Sequence, residues 1–209
     1  MRIFRTSVII VALYATFSAQ AQSVSYNLYN ASDKDLVDKL LQLTYNCQLK
    51  EAKIFVNQVL QKDSLSIEWN YFRAMVLLRS MSDNQGNKDE MEQFEKAVNK
   101  VIKIGEERLA QNPNDSIGLF YTGAAYGYLA IFYIKKDGST FKAAGTAKKG
   151  LEMHKKLISL FPDYYDAYLS LGIFNYFASD VPWYLKPILF IFGMSGDKEK
   201  GIRISFAGF

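Results

Sequence analysis

The sequence predicts an all-α chain arranged as a solenoid of antiparallel helical hairpins. Three observations carry this prediction. The phrase Pro113-x5-Leu119-x2-Thr122-Gly123-x2-Tyr126 returns as Pro162-x5-Tyr168-x2-Leu171-Gly172-x2-Asn175-Tyr176, with both prolines and both glycines 49 residues apart. One period earlier, Asp63-x5-Trp69-x2-Phe72 is a weaker copy. Repetition on this scale marks units that cannot bury their own apolar face and must stack to do so. Finally, long runs carry apolar residues at helical spacing and only four prolines interrupt them, which leaves little room for sheet.

Each element can be justified in order. Ser32-x-x-Asp35 reads as a cap for a helix whose stripe is Leu36, Leu40, Leu43 and Cys47. Cys47 is the single cysteine, so no intrachain disulfide can form, and its place near a tight turn predicts a small buried thiol. A second helix is expected over 50–61 with Ala52, Val56 and Val59 inward, and a third over 67–80 with Trp69, Phe72, Val76 and Leu77. Residues 82–87 contain only turn formers and polar side chains, the clearest loop in the chain. A long charged helix over 88–111 carries Phe94, Val98, Val101 and Ile102, and Asn112-Pro113-Asn114-Asp115 stops it.

Residues 117–134 hold no charge over 18 positions, and Gly123-x3-Gly127 matches a membrane packing motif. Four tyrosines, a threonine and three glycines are nevertheless spread through the middle of this run. A helix enclosed by neighbours on both sides is also apolar all round. The sandwiched helix is the preferred reading and insertion of 117–134 into membrane its alternative. Further helices are expected over 140–161 and 164–178, then a short apolar run over 188–192, and a last helix from Asp197 to the end of the chain.

The first 21 residues read as a cleavable export leader. Arg2 and Arg5 precede an apolar core from Val8 to Phe17, and Ala19-Gln20-Ala21 is a small-x-small cleavage site. The core is shorter than the roughly 20 residues that span a bilayer. Residues 22–31 then form a linker and 32–209 the repeat domain, in the periplasm or outside the cell. Losing the two leader arginines lowers the formal charge from +4 to +2. That balance offers no general attraction to nucleic acid or to an anionic membrane.

Few constellations could carry chemistry. His154, the only histidine, falls where a repeat wants a packing aromatic, and with a single Cys it cannot build a His/Cys zinc site. Gly193-Met194-Ser195-Gly196 lacks the spacing of a nucleophile elbow, and no phosphate-cradling glycine loop is present. A carboxylate pair, as in an exported glycan-processing enzyme, has no marked candidate. The expectation is a chain without catalytic residues, cofactor or metal.

Together the phrases resemble the tetratricopeptide repeat. In that family a bulky residue, Leu-Gly and Tyr sit on the first helix of each hairpin, and Ala-x3-Phe and Pro on the second. Leu119, Thr122, Gly123 and Tyr126 match the first-helix positions, as do Tyr168, Leu171 and Gly172. Gly150-x3-His154 with Pro162 matches the second helix, Ala52-x3-Val56 matches it one residue out of register, and Gly201 supplies the small position of a final unit. The period departs from the family's 34 residues, so helices or turns must be longer. The resemblance implies a right-handed solenoid whose first helices line a concave groove. Facing positions would be Ile67, Asn70 and Ala74, then Phe120, Ala124 and Tyr128, then Asp166, Leu169, Ile173 and Tyr176. Of these, Asn70, Phe120, Tyr128, Asp166 and Tyr176 are the candidate partner-binding residues, for a protein or peptide segment that is apolar or extended. Core packing of the same rings is the competing reading.

Residues 205–209 carry neither charge nor stripe, so the array reads as incomplete at this end. Trp183, Tyr184 and Phe190 to Phe192 are then expected beside uncovered apolar surface, with self-association as its consequence. Mass spectrometry of the processed protein should place its N-terminus at Gln22; recovery of the Met1 form from the cell envelope would instead mean an uncleaved anchor.

Overall fold

The computed structural model describes residues 33–83 and 88–205, and those residues are all-α. The leader 1–21, the linker 22–31, the capping Ser32, the loop centre 84–87 and the last residues 206–209 lie outside the described residues. The chain divides after Met91, near the start of its fourth described helix, into two compact units.

In the first unit, α1 (Lys34–Tyr45) buries Val37, Leu40 and Thr44, and α2 (Leu49–Lys62) buries Ala52, Val56 and Leu60. Both stripes follow the three- and four-residue spacing of one helix face. They close on Trp69 and Val76 of α3 (Ile67–Asp83) to form one core, with Leu36, Leu43, Val59 and Phe72 half-buried against it. Cys47 departs from expectation. It is exposed, with φ 58°, and it ends α1 rather than extending its stripe. The Cys47 amide donates to Thr44 O and the Gln48 amide to Leu43 O, at 3.2 and 2.9 Å. This paired return of the chain onto its last carbonyls needs a left-handed residue, a position where glycine is usual. A thiol held there points out of the fold.

Asp63 carries the turn into α3 by accepting the Leu65 and Ser66 amides. The Ser66 hydroxyl caps α3 by accepting the Trp69 amide at 3.2 Å. One polar cluster is drawn inside this unit: Lys53 and Ser80 both donate to Glu90 Oε1, at 3.0 and 2.7 Å. An ammonium at this distance offsets much of the cost of enclosing a carboxylate.

In the second unit, α4 (Lys88–Gln111) contributes Phe94, Val98, Val101 and Ile102, the expected stripe, all buried. The Asn112–Asp115 turn is held by Arg108 Nε, which donates to Asp115 Oδ2 at 2.7 Å. α5 (Ser116–Asp137) follows, buried without a break from Gly118 to Gly123 and again at Ala125, Tyr126, Leu129, Ala130, Phe132 and Tyr133. These positions cover every direction around a helix. By length and mean hydropathy (1.4) α5 could cross a membrane, but 61% of its apolar window is buried by the protein itself. Gly138, at φ 70°, ends it by the left-handed return seen at Cys47, here with the residue that adopts it without strain.

α6 (Thr140–Leu160) lies along α5, and the two backbones touch. A Cβ on Gly150 would stand 2.6 Å from Gly123 O, and one on Gly123 would stand 2.7 Å from the His154 ring. The same arrangement recurs between α7 (Tyr165–Ser179) and α9 (Lys198–Ser205), where a Cβ on Gly201 would stand 2.7 Å from Gly172 O and 2.8 Å from Tyr176 N. Gly123 and Gly172 are the repeated glycines of the two sequence phrases. Between α7 and α9 the chain makes a short 3-10 turn (Trp183–Leu185) and α8 (Lys186–Ile191). Ile188, Leu189 and Phe192 of this excursion pack onto Ala144, Leu151, Leu171 and Met194.

These contacts predict opposite outcomes for two helical glycines. Gly150→Ala should cost about 1–3 kcal/mol, because a methyl group must push two helices apart. Gly127→Ala, in α5 with nothing within 4 Å of its Cβ position, should instead stabilise by about 0.5–1 kcal/mol through helix propensity. Chemical denaturation of both variants reads the difference, and equal behaviour would refute the close crossing.

Candidate binding face

Helix α5 is enclosed except along one stripe. Ile117, Ala124, Gly127 and Tyr128 are partly accessible and Ile131 is exposed, positions that share a helix face. Helix α7 leaves a similar stripe, with Asp166 exposed and Leu169, Ile173 and Tyr176 partly accessible. The starts of the two helices are tied together where the Phe120 ring meets Tyr164, centroid to centroid 5.3 Å. The structure therefore brings Tyr128, Asp166 and Tyr176 to accessible stripes of one compact unit.

The remaining two candidates are placed elsewhere. Asn70 is 1% exposed, and its amide donates to Ser64 O and Ser66 O at 3.1 and 2.7 Å, binding the turn before α3 to the helix. Phe120 is buried in a ring cluster with Tyr121, His154 and Tyr164. Ile67 and Ala74 are buried as well. Helical spacing put these residues on the expected face of their helices, but neighbouring elements cover that face at those points.

Each accessible side chain has its own chemistry. Asp166 is open to solvent while protein crowds around it, and this partial desolvation raises its carboxyl above the ordinary range. Such a carboxylate gains most from an incoming N–H or ammonium donor. Tyr128 offers a flat ring beside the bare backbone of Gly127, where no side chain fills the space. Tyr176 lies at the margin, with Lys198 of α9 4.6 Å from its ring centre. The hydrogen bond to Tyr176, with the Asp180 charge nearby, holds the Lys198 ammonium above the usual lysine range.

Two recesses lie off these stripes. One, about 370 Å³, is bounded by Glu106, Leu109, Tyr126, Lys149, Glu152 and Lys156. The Tyr126 hydroxyl donates to Glu106 Oε1 at 2.5 Å. Burial first, and then this carboxylate, push the phenol far above its ordinary value, so Tyr126 stays protonated and serves as a donor rather than a base. Its position was legible only as packing, since Glu106 comes from a different helix 20 residues earlier. The other, about 550 Å³, runs along α4 between Glu92, Glu95, Lys96, Lys100 and Lys103, and its alternating charges are those of a solvated helix face. Among the described residues no three His, Cys, Asp or Glu side chains gather as a metal-ligand set.

His154 joins the core behind the stripe. It is 4% exposed, stacks on Phe120 with centroids 5.6 Å apart, and places Nε2 3.0 Å from Phe120 O. That distance assigns the Nε2 proton to a bond donated to the carbonyl. No family model matches the chain, and no curated protein is similar to it at a significant level.

Burial lowers the His154 pKa below its usual 6.5, with the bond to Phe120 working in the opposite direction. The unfolded ring takes up a proton near pH 6.5 and the folded ring resists it. This contribution is present above pH 6.5 and is lost as pH falls below it, by at most about 1.4 kcal/mol per pH unit. Melting temperatures between about pH 7 and 5 should therefore fall less steeply for His154→Gln than for the parent. Parallel curves would place the ring in solvent.

Proposed function

We propose that this chain is a non-enzymatic scaffold, a right-handed, tetratricopeptide-like solenoid exported to the cell envelope, that binds a protein or peptide segment along the accessible stripes of α5 and α7. The observation that carries the reading is the repeated glycine contact. The same backbone-to-backbone crossing at α5–α6 and α7–α9, at positions one sequence period apart on α5 and α7, supports a repeated helical unit. Repeats of this kind act by presenting rigid helix faces rather than by assembling catalytic groups.

The stripe chemistry supports an extended, largely apolar ligand. Ile131, Leu169 and Ile173 supply apolar contact, Tyr128 a ring with only two rotatable angles, and Asp166 an acceptor for backbone amides. No cofactor enters this reading. Insertion of α5 into membrane is the weaker alternative, because its buried positions face all round the helix.

An array of extended apolar and charged peptides, probed with the purified protein, tests the proposal. Apolar peptides should be retained, and Tyr128→Ala combined with Asp166→Ala should weaken retention at least about tenfold with little change in melting temperature. Phe120→Ala, by contrast, should cost about 3–5 kcal/mol of stability because that ring is core. Failure to retain any peptide, or undiminished retention by the double variant, would refute the assignment of this face.

A further inference from the structure

The excursion between α7 and α9 divides its apolar side chains between two directions. Ile188, Leu189 and Phe192 pack into the core of the unit. Trp183, Pro187, Phe190 and Ile191 recur at helical spacing on the other side and stay open. Trp183 is 81% exposed, Tyr184 62%, Phe190 83% and Ile191 68%. Trp183 and Tyr184 meet edge to face at 6.1 Å, so two of the open rings brace each other. Phe141 of α6, 60% exposed, joins them through its edge-to-face contact with Phe192 at 4.9 Å. An apolar patch of this kind, seated on a fixed base, marks an interaction surface.

The charges around this face carry both signs. Lys186 opens α8, while Asp180 precedes the segment and Asp197 follows it, all three exposed. Asp180 faces Lys198 at 3.7 Å, and Asp197 accepts the Lys200 amide at 2.9 Å. Beside Phe141, the Lys142 ammonium lies 3.8 Å from the Tyr133 ring centre and within reach of the Asp137 charge. Such a rim draws in neither a polyanion nor a polycation. It also does not repel a surface of its own composition.

We propose that this aromatic face docks on the same face of a second copy of the chain, as a two-fold dimer. In a two-fold contact one patch meets itself, so apolar must lie against apolar and the rim must hold both signs. The face meets both conditions. Away from it the exposed aromatic rings among the described residues are Tyr45 and Phe161, 47% and 39% open, so the best aromatic counterpart that another copy offers is this face itself. Its area also suffices. Aromatic side chains bury about 150–250 Å² each, so Trp183, Tyr184 and Phe190 at their exposures leave roughly 350–550 Å² per copy. Ile191, Pro187 and Phe141 carry the pair of copies past the total of about 1,000 Å² that a specific interface needs. Aromatic rings at the centre with charges kept to the rim are the composition of such interfaces. The contact uses none of the residues assigned to the α5 and α7 stripes.

Sedimentation velocity of the purified protein at rising concentration tests the proposal, and should show monomer passing into dimer. Tryptophan emission should shift to the blue over the same range. The shift should vanish in Trp183→Phe, since Trp69 is only 5% exposed and stays in the core. Trp183→Ser with Phe190→Ser should raise the dimer dissociation constant at least about tenfold. Helix content by circular dichroism should not change, as both side chains lie outside the core. Tyr128→Ala with Asp166→Ala, which alters the stripes, should dimerise like the parent. A monomer at every concentration overturns the proposal, as does a dimer that the Ser variants leave intact. A dimer lost in the Tyr128 and Asp166 variant also overturns it and places the contact on the stripes. A monomer that pellets with phosphatidylglycerol vesicles overturns it and makes lipid the occupant.

Discussion

The second unit depends on a contact between backbones. Helices normally pack with their axes about 8–10 Å apart because side chains stand between them. At the α5–α6 crossing neither Gly123 nor Gly150 has one, and the carbonyl of Gly123 lies where a Cβ of residue 150 would be. Close approach brings His154 over Gly123 and within reach of Phe120 O, so a polar ring is accommodated in the interior with its donor satisfied. Gly201 repeats the contact against Gly172 and holds α9 on α7. Both first helices are thus gripped from one side, and their stripes are left open on another.

The polar groups drawn into the fold follow from the same economy of space. Tyr126 and Glu106 meet because α4 and α5 converge, and the phenol keeps its proton because burial and the carboxylate act in the same direction. In the first unit the Lys53–Glu90–Ser80 cluster places an ammonium and a hydroxyl on one carboxylate oxygen. Removing either donor would leave charge enclosed with weaker compensation, which is why such clusters are more costly to break than to replace. These groups organise helices. Tyr128 and Asp166, by contrast, are left accessible by the surrounding helices.

Two surfaces with different chemistry result. The stripes of α5 and α7 combine accessible apolar residues with a single carboxylate. The segment around α8 instead leaves Trp183, Tyr184 and Phe190 exposed. One side of α8 is spent on seating it in the unit, and this anchoring keeps Trp183 and Phe190 projecting rather than collapsing onto the core.

Local order was legible in the sequence. The helices over 88–111 and 140–160 begin and end where caps, prolines and glycines mark them, and the repeated Gly123 and Gly172 announced two close crossings before any partner helix was known. The stripe of α4 was read residue for residue, because helical spacing is a property of the chain alone. Which part of a stripe is covered was not legible, since covering comes from elements distant in sequence. Asn70 and Phe120 share a helical position with accessible residues, yet a turn encloses one and Tyr164 with His154 encloses the other. Cys47 was placed inside by continuing the α1 stripe, but the helix turns back one residue earlier and leaves the thiol exposed. Spacing along a chain determined which residues share a face of each helix; only the packing of helices decided which faces are covered and which stay accessible.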